Sequence, residues 1–357
     1  MGKNLFKFII LLSVFYMFIF LCAEVTAVAM LINYISGTSL WITAALVIVT
    51  TLIYTLYGGL RASILTDNFQ FLIIIILLLV FINYIFSSDF ISYKSITNNS
   101  AALLSAKYIP NYTAGLTFFI AVAATNLFHQ GNWQRVFAAK NYNVLNKSLK
   151  LSFLIIIPIV FFMGVTGIIA ISVDSKINPD LAFFSILLKD KSEILCMAII
   201  ILAISLTVST IDTLVNAISS LIIVDGKKIS KSLRSSNILV IFLSIIAFLV
   251  ASKGFSILYL FLLADLLCCA AVFPVFYGFY KTNLKERHLI ISIIIGLFLG
   301  LLLFPSPDFS KSVLIGIMLP FDLFPQIASS YLLFWSFLLA TLGPVIVIIS
   351  YDSFKRR

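Results

Sequence analysis

The sequence predicts an all-α membrane protein with about ten transmembrane helices. Three observations carry that prediction. Of 357 residues, 62% are hydrophobic and only 11% charged, against about 45–50% and about 25% in soluble globular chains. Mean hydropathy is +1.15. Ten apolar stretches also approach or exceed the roughly 20 helical residues that cross a bilayer core, and the basic residues between them keep mostly to alternate loops.

The first stretch, 5–33, follows Lys3 and Lys7 in "MGKNLFKFIILL". It outruns a signal-peptide core of about 7–15 residues, so it reads as a span. The next are 39–57, 64–87, 113–131, 151–172, 193–224, 236–252, 256–280, 288–305 and 331–350. Between the last two, 306–330 is only moderately apolar, with Pro307, Pro320 and Pro325 inside it and Pro305 at its edge. It reads as a loop with short interfacial helices. In "GLFLG", Gly296 and Gly300 are four residues apart and mark ordinary helix packing.

Loop charge sets the orientation. With the N-terminus inside, only seven of the 24 Lys and Arg face outward: Lys94, Lys107, Lys176, Lys189, Lys191, Lys253 and Lys311. An even number of spans then puts both termini in the cytoplasm. The same loops explain the net charge of +10, so nucleic acid is not an expected partner; the lipid bilayer is. Abundant Ile, Phe, Lys and Asn point to an AT-rich bacterial genome, hence to a bacterial plasma membrane. Cys22, Cys196, Cys268 and Cys269 lie in apolar runs without CxxC, and two histidines are too few for a zinc site. No HExxH, GxSxG or acid–His pairing is present, so an enzyme is not expected.

Four of the 14 acidic residues fall inside spans: Glu24, Asp67, Asp212 and Asp265. No Lys or Arg is expected deep enough to neutralise them. A buried carboxylate without a basic partner must be protonated, hydrated or bound to a cation, so a cation pathway is expected. The sixth stretch, "LTVSTIDTLVNAISS", is the richest. Ser205, Ser209, Asp212 and Asn216 are spaced 4, 3 and 4 and share one helical face, with Thr210 and Thr213 beside it. These are oxygen ligands only, the type that hard cations such as Na⁺ prefer. Ser205, Ser219 and Ser220 read instead as hydroxyls that bond neighbouring helices.

Three segments resemble the sodium:solute symporter family in order and spacing. They are "YTLYGGLRASILTDNFQ" (54–70), "NLFHQGNWQRVFAAKN" (126–141) and "VSTIDTLVNAISSLIIVD" (208–225). The resemblance implies a LeuT-type fold of two inverted five-helix repeats with the site near the midplane. It also implies Na⁺ as the coupling ion and a small polar solute as cargo. Residue by residue, it places Ser209, Thr210 and the carbonyl of Leu206 at the main sodium site. It ties Asp67 to a second site or to coupling, with Thr213 beside it. Asp212 adds a carboxylate that could strengthen cation binding or carry a proton. The 113–131 stretch corresponds to a broken helix, whose Asn126, Gln130 and Asn132 could contact solute or simply mark the polar end of a helix. Asp265 falls where solute contacts occur in the family, and an acid there could meet an amine or urea-like group. Glu24 either faces the cavity or bonds a neighbour.

Measured against the family, 1–87 corresponds to the remnant of a first repeat, 113–280 to the second, and 288–357 to additional helices. The expectation is a shortened transporter: either a carrier or its larger part, pairing with a separately encoded N-terminal fragment, or else a non-transporting remnant, sensor or scaffold subunit.

Overall fold

The computed structural model describes residues 2–88, 91, 93–174, 176–189, 192–225, 233–280, 284–307, 309, 312, 314 and 329–355. Among these the architecture is all-α, with no strand. In chain order the helices are α1 (Lys3–Ser36), α2 (Leu40–Phe86), α3 (Tyr93–Asn99), α4 (Ala101–Leu104), α5 (Ile109–Phe128), α6 (Gln130–Ala138) and α7 (Tyr142–Val173). A 3₁₀ turn (Pro179–Leu181) and α8 (Ala182–Leu187) lead to α9 (Glu193–Ser220), which continues as a π turn (Leu221–Asp225). Then come α10 (Leu233–Ala251), α11 (Ile257–Tyr280), α12 (Glu286–Leu303) and α13 (Ser329–Lys355). The expected loop at 306–330 lies mostly outside the described residues.

All ten apolar stretches are helical over most of their length. Among the described residues, seven helices meet the length and apolarity of a span: α1, α2, α7, α9, α11, α12 and α13. Helix α2 accounts for two stretches. Its 47 residues would reach about 70 Å, more than twice the bilayer core. It breaks at Gly59, where φ is 56° and ψ is −149°. That combination belongs to glycine, because a Cβ would strain the backbone there. The remaining two stretches are α5, with its polar C-terminal end, and the shorter α10.

Helices α1 and α11 form the interior. Half or more of their apolar windows is buried, against under a fifth for α2 and α7. The outer helices instead turn large apolar side chains outward, as Leu72 and Ile76 on α2 and Phe153 and Phe161 on α7 do; in a bilayer that face meets lipid at no cost. Helix α1 packs against α2, α9, α10, α11 and α12. Two acids hold the inner helices by their N-terminal amides, which no intrahelical carbonyl can satisfy. Glu286 accepts the Asn4 amide at 3.0 Å, and Asp180 accepts the amides of Ile257 and Leu258 at 3.1 and 3.2 Å.

The expected packing role of Gly296 and Gly300 holds. A Cβ on Gly296 would come within 2.8 Å of the Ala340 carbonyl, and one on Gly300 within 2.8 Å of the Ala340 Cβ. The Ser336 hydroxyl then reaches the Gly300 carbonyl at 2.7 Å, sealing α12 to α13.

Gly59→Ala is expected to destabilise the fold by about 1–3 kcal/mol through backbone strain alone, since a Cβ there meets nothing within 4 Å. Gly164→Ala on α7, where space is equally open and φ is helical, should be neutral or slightly stabilising. Thermal unfolding of the two variants in detergent checks the contrast.

Candidate functional site

The break in α2 places hydroxyls on both sides of a single carboxylate. Asp212, in the middle of α9, is 0% exposed. Ser63 donates to its Oδ1 at 2.8 Å and Tyr54 to its Oδ2 at 2.9 Å, with Thr66 at 3.2 Å from Oδ2. Tyr54 precedes Gly59; Ser63 and Thr66 follow it one turn apart. Thr213 lies 3.4 Å from Oδ1, but its one proton has a closer acceptor in the Ser209 carbonyl at 2.9 Å. The aspartate is thus satisfied by neutral donors rather than by a counter-charge.

Asp67, one residue past Thr66, is arranged differently. Arg135 Nη2 lies 2.7 Å from its Oδ2, and the Ser209 hydroxyl donates to its Oδ1 at 2.5 Å. Arg135 Nη2 also donates to Thr213 Oγ1 at 2.8 Å, and Nη1 to the Gly131 carbonyl at 3.3 Å. This corrects the expectation that no basic residue reaches the buried acids. Arg135 reads as a loop cation in sequence, yet α6 packs so tightly on α9 that a Cβ on Gly131 would lie 2.6 Å from Thr213 Cγ2. That close approach carries the guanidinium into the protein. Among the described residues no Lys or Arg pairs with Glu24, Asp212 or Asp265, so three of the four acids have no basic partner there.

The six residues expected at the sodium site lie along one stretch of α9 and the facing turn of α2. Ser209 donates its proton to Asp67, and Thr210 donates to the Leu206 carbonyl at 3.2 Å. Each hydroxyl oxygen keeps lone pairs for a cation; the Leu206 carbonyl, which also accepts the helical Thr210 amide, frees one when the Thr210 hydroxyl turns away. Glu24 on α1 faces the Thr210 hydroxyl. These donors fit a hard cation such as Na⁺. Of the three hydroxyls expected to join helices, two do so: Ser219 with Ser236 of α10, and Ser220 with Gln134 of α6.

The five residues expected at a solute site divide. Asp265 and Asn126 line one cavity of about 290 Å³ between α1, α5 and α11, together with Phe20, Phe118, Thr125, His129 and Phe261. Gln130 lines a different cavity of about 550 Å³ beside the α2 break, with Thr55, Gln134, Asn216 and Ser219. Asn132 bonds Asn126 Oδ1 at 3.1 Å, and Glu24 turns to α9. The chain does break here, at His129, between α5 and α6.

Sequence reasoning passed over Tyr54, Ser63, Thr66 and Thr125. Thr66 and Asp67 lie three and four residues past Ser63 and so share its helical face, a signal equal in kind to that on α9. Thr125 carried no comparable pattern.

The sequence profile of the sodium:solute symporter family matches residues 2–296. The chain belongs to this family. The spermidine transporter DUR31 of Candida albicans is 28% identical over 273 residues, covering 74% of this chain and 51% of that protein. The chain therefore spans about half the length of that curated relative. With seven helices long and apolar enough to cross a bilayer among the described residues, it is a multi-pass membrane protein.

If Asp67 and Arg135 act as a pair, Arg135→Gln alone should destabilise more than Arg135→Gln combined with Asp67→Asn. A coupling of about 0.5–3 kcal/mol is expected from a double-mutant cycle of thermal stability. Additive effects would mean the pair contributes little.

Proposed function

We propose that this chain performs Na⁺-coupled symport of a small polar organic solute by alternating access. The observation that supports the reading best is the oxygen-only face of α9, opposed by the hydroxyls and carboxylate of the broken α2. Na⁺ coupling is a property of the family in general; its use here rests on Ser209, Thr210 and the Leu206 carbonyl as ligands. Spermidine, the solute named for the fungal relative, is a small polar organic amine and falls within the proposed class.

The coupling follows from charge. Asp67 holds Arg135 and Ser209 at once and so ties α2, α6 and α9 together. A cation arriving at Ser209 and Thr210 competes with Arg135 for the Asp67 carboxylate. Its binding loosens α6, which adjoins the solute cavity through His129. The ion shifts the conformational balance only by its difference in affinity for the two states, and the Asp67–Arg135 contact supplies that difference. In this reading α1 and α2 correspond to the end of a first repeat, α5 to α11 to the second, and α12 and α13 are additional. The loop charges favour both termini in the cytoplasm, and composition favours a bacterial plasma membrane.

The test is uptake of labelled spermidine, putrescine, proline and glucose into proteoliposomes carrying the full chain, under inward Na⁺ or K⁺ gradients. Uptake of at least one solute should require Na⁺. Ser209→Ala should raise the Na⁺ concentration for half-maximal uptake about tenfold, the effect of losing about 1.4 kcal/mol of ion binding. Equal uptake under both gradients would contradict the coupling.

A further inference from the structure

The cavity between α1, α5 and α11 has a lining that discriminates among solutes. Asp265 is only 7% exposed, yet it borders this space. Its Oδ1 accepts the Thr125 hydroxyl at 2.6 Å, and among the described residues no donor serves Oδ2. Apart from Thr125 and Asp265, the polar lining is His129 and Asn126. Asn126 is already committed, donating to the Val122 carbonyl at 2.9 Å and accepting from Asn132. The rest is apolar and includes three phenyl rings. Phe20 and Phe261 meet edge to face with centroids 5.0 Å apart, and Phe20 also meets His129 at 6.4 Å.

Each common solute class makes a demand on this lining. A sugar brings several hydroxyls, for which the walls have too few free partners, and unpaired buried polar groups are costly. A zwitterionic amino acid brings a carboxylate, and no Lys or Arg lines the cavity. An amine without a carboxylate brings one cationic head and an apolar body. The head matches the free oxygen of Asp265 as a charge-assisted hydrogen bond, and the phenyl faces suit both the cation and its methylenes.

We infer that this cavity is an ammonium subsite, with Asp265 as the anionic anchor, Thr125 fixing its orientation, and Phe20 and Phe261 packing the alkyl chain of a small organic amine. The inference rests on the reading of the chain as a solute carrier. It narrows that reading from polar solutes to amines.

The test is equilibrium binding of tritiated putrescine to the purified full chain in detergent, with no ion gradient. Butylamine is expected to displace the label, whereas proline and glucose are not. Asp265→Asn should weaken binding about tenfold or more, through loss of the charge-assisted contact, at an unchanged unfolding temperature. Phe20→Leu should weaken it about two- to fivefold, as expected for a cation–π contact. Absence of putrescine binding, displacement by glucose, or an unaltered affinity in Asp265→Asn would overturn the inference. Should Asp265→Asn not survive purification, Phe20→Leu decides, and an unaltered affinity there counts against the subsite. Amine binding that persists without Na⁺-driven uptake would count against symport alone.

Discussion

The polar interior of this protein depends on a buried carboxylate being satisfied without a counter-charge. Asp212 is fully enclosed in α9, and its two short hydrogen bonds come from Ser63 and Tyr54. Both donors belong to α2, one on each arm of the break at Gly59. Had α2 run straight, it could not have presented Tyr54 and Ser63 to the same aspartate, and an unsatisfied carboxylate would cost several kcal/mol. The break, the hydroxyls and the aspartate form one structural unit, and the neighbouring Asp67 is positioned by it.

The result is a division of labour along α9. In the proposed reading Asp212 serves structure, since both its oxygens accept hydrogen bonds from α2. Ser209 and Thr210, on the same helix, keep unused lone pairs and face Asp67 on one side and Glu24 on the other. Helix α1 adjoins both regions: Glu24 meets Thr210, while Phe20, one turn earlier, lines the cavity that contains Asp265. In the proposed mechanism, ion and solute therefore share one wall. A shift of α1 or α6 is felt at both places.

Much of this was legible in the sequence. The apolar stretches gave the helices because ten runs of hydrophobic residues have few alternatives to helices in a bilayer. The 4, 3, 4 spacing on α9 gave a polar face, and the three ordered segments gave the family. What escaped was tertiary. Arg135 looks like one more cytoplasmic cation until Gly131 lets α6 approach α9 closely enough to carry it to Asp67. Tyr54 and Ser63 look like scattered hydroxyls until the geometry of Gly59 turns them to a common target. Glu24, Gln130 and Asn132 are polar and suitably spaced, but spacing within a helix does not say which cavity a residue reaches, and they turn away from the one that holds Asp265.

The central proposal is that Ser209 and Thr210 hold a cation while Asp212 serves structure. Equilibrium binding of ²²Na⁺ to the purified full chain tests this most directly, with Ser209→Ala compared to Ser219→Ala, whose hydroxyl bonds α10 on the same helix. Saturable Na⁺ binding that is lost in the first variant and kept in the second is expected. Equal Na⁺ binding in the two variants, or none in the parent chain, would contradict it.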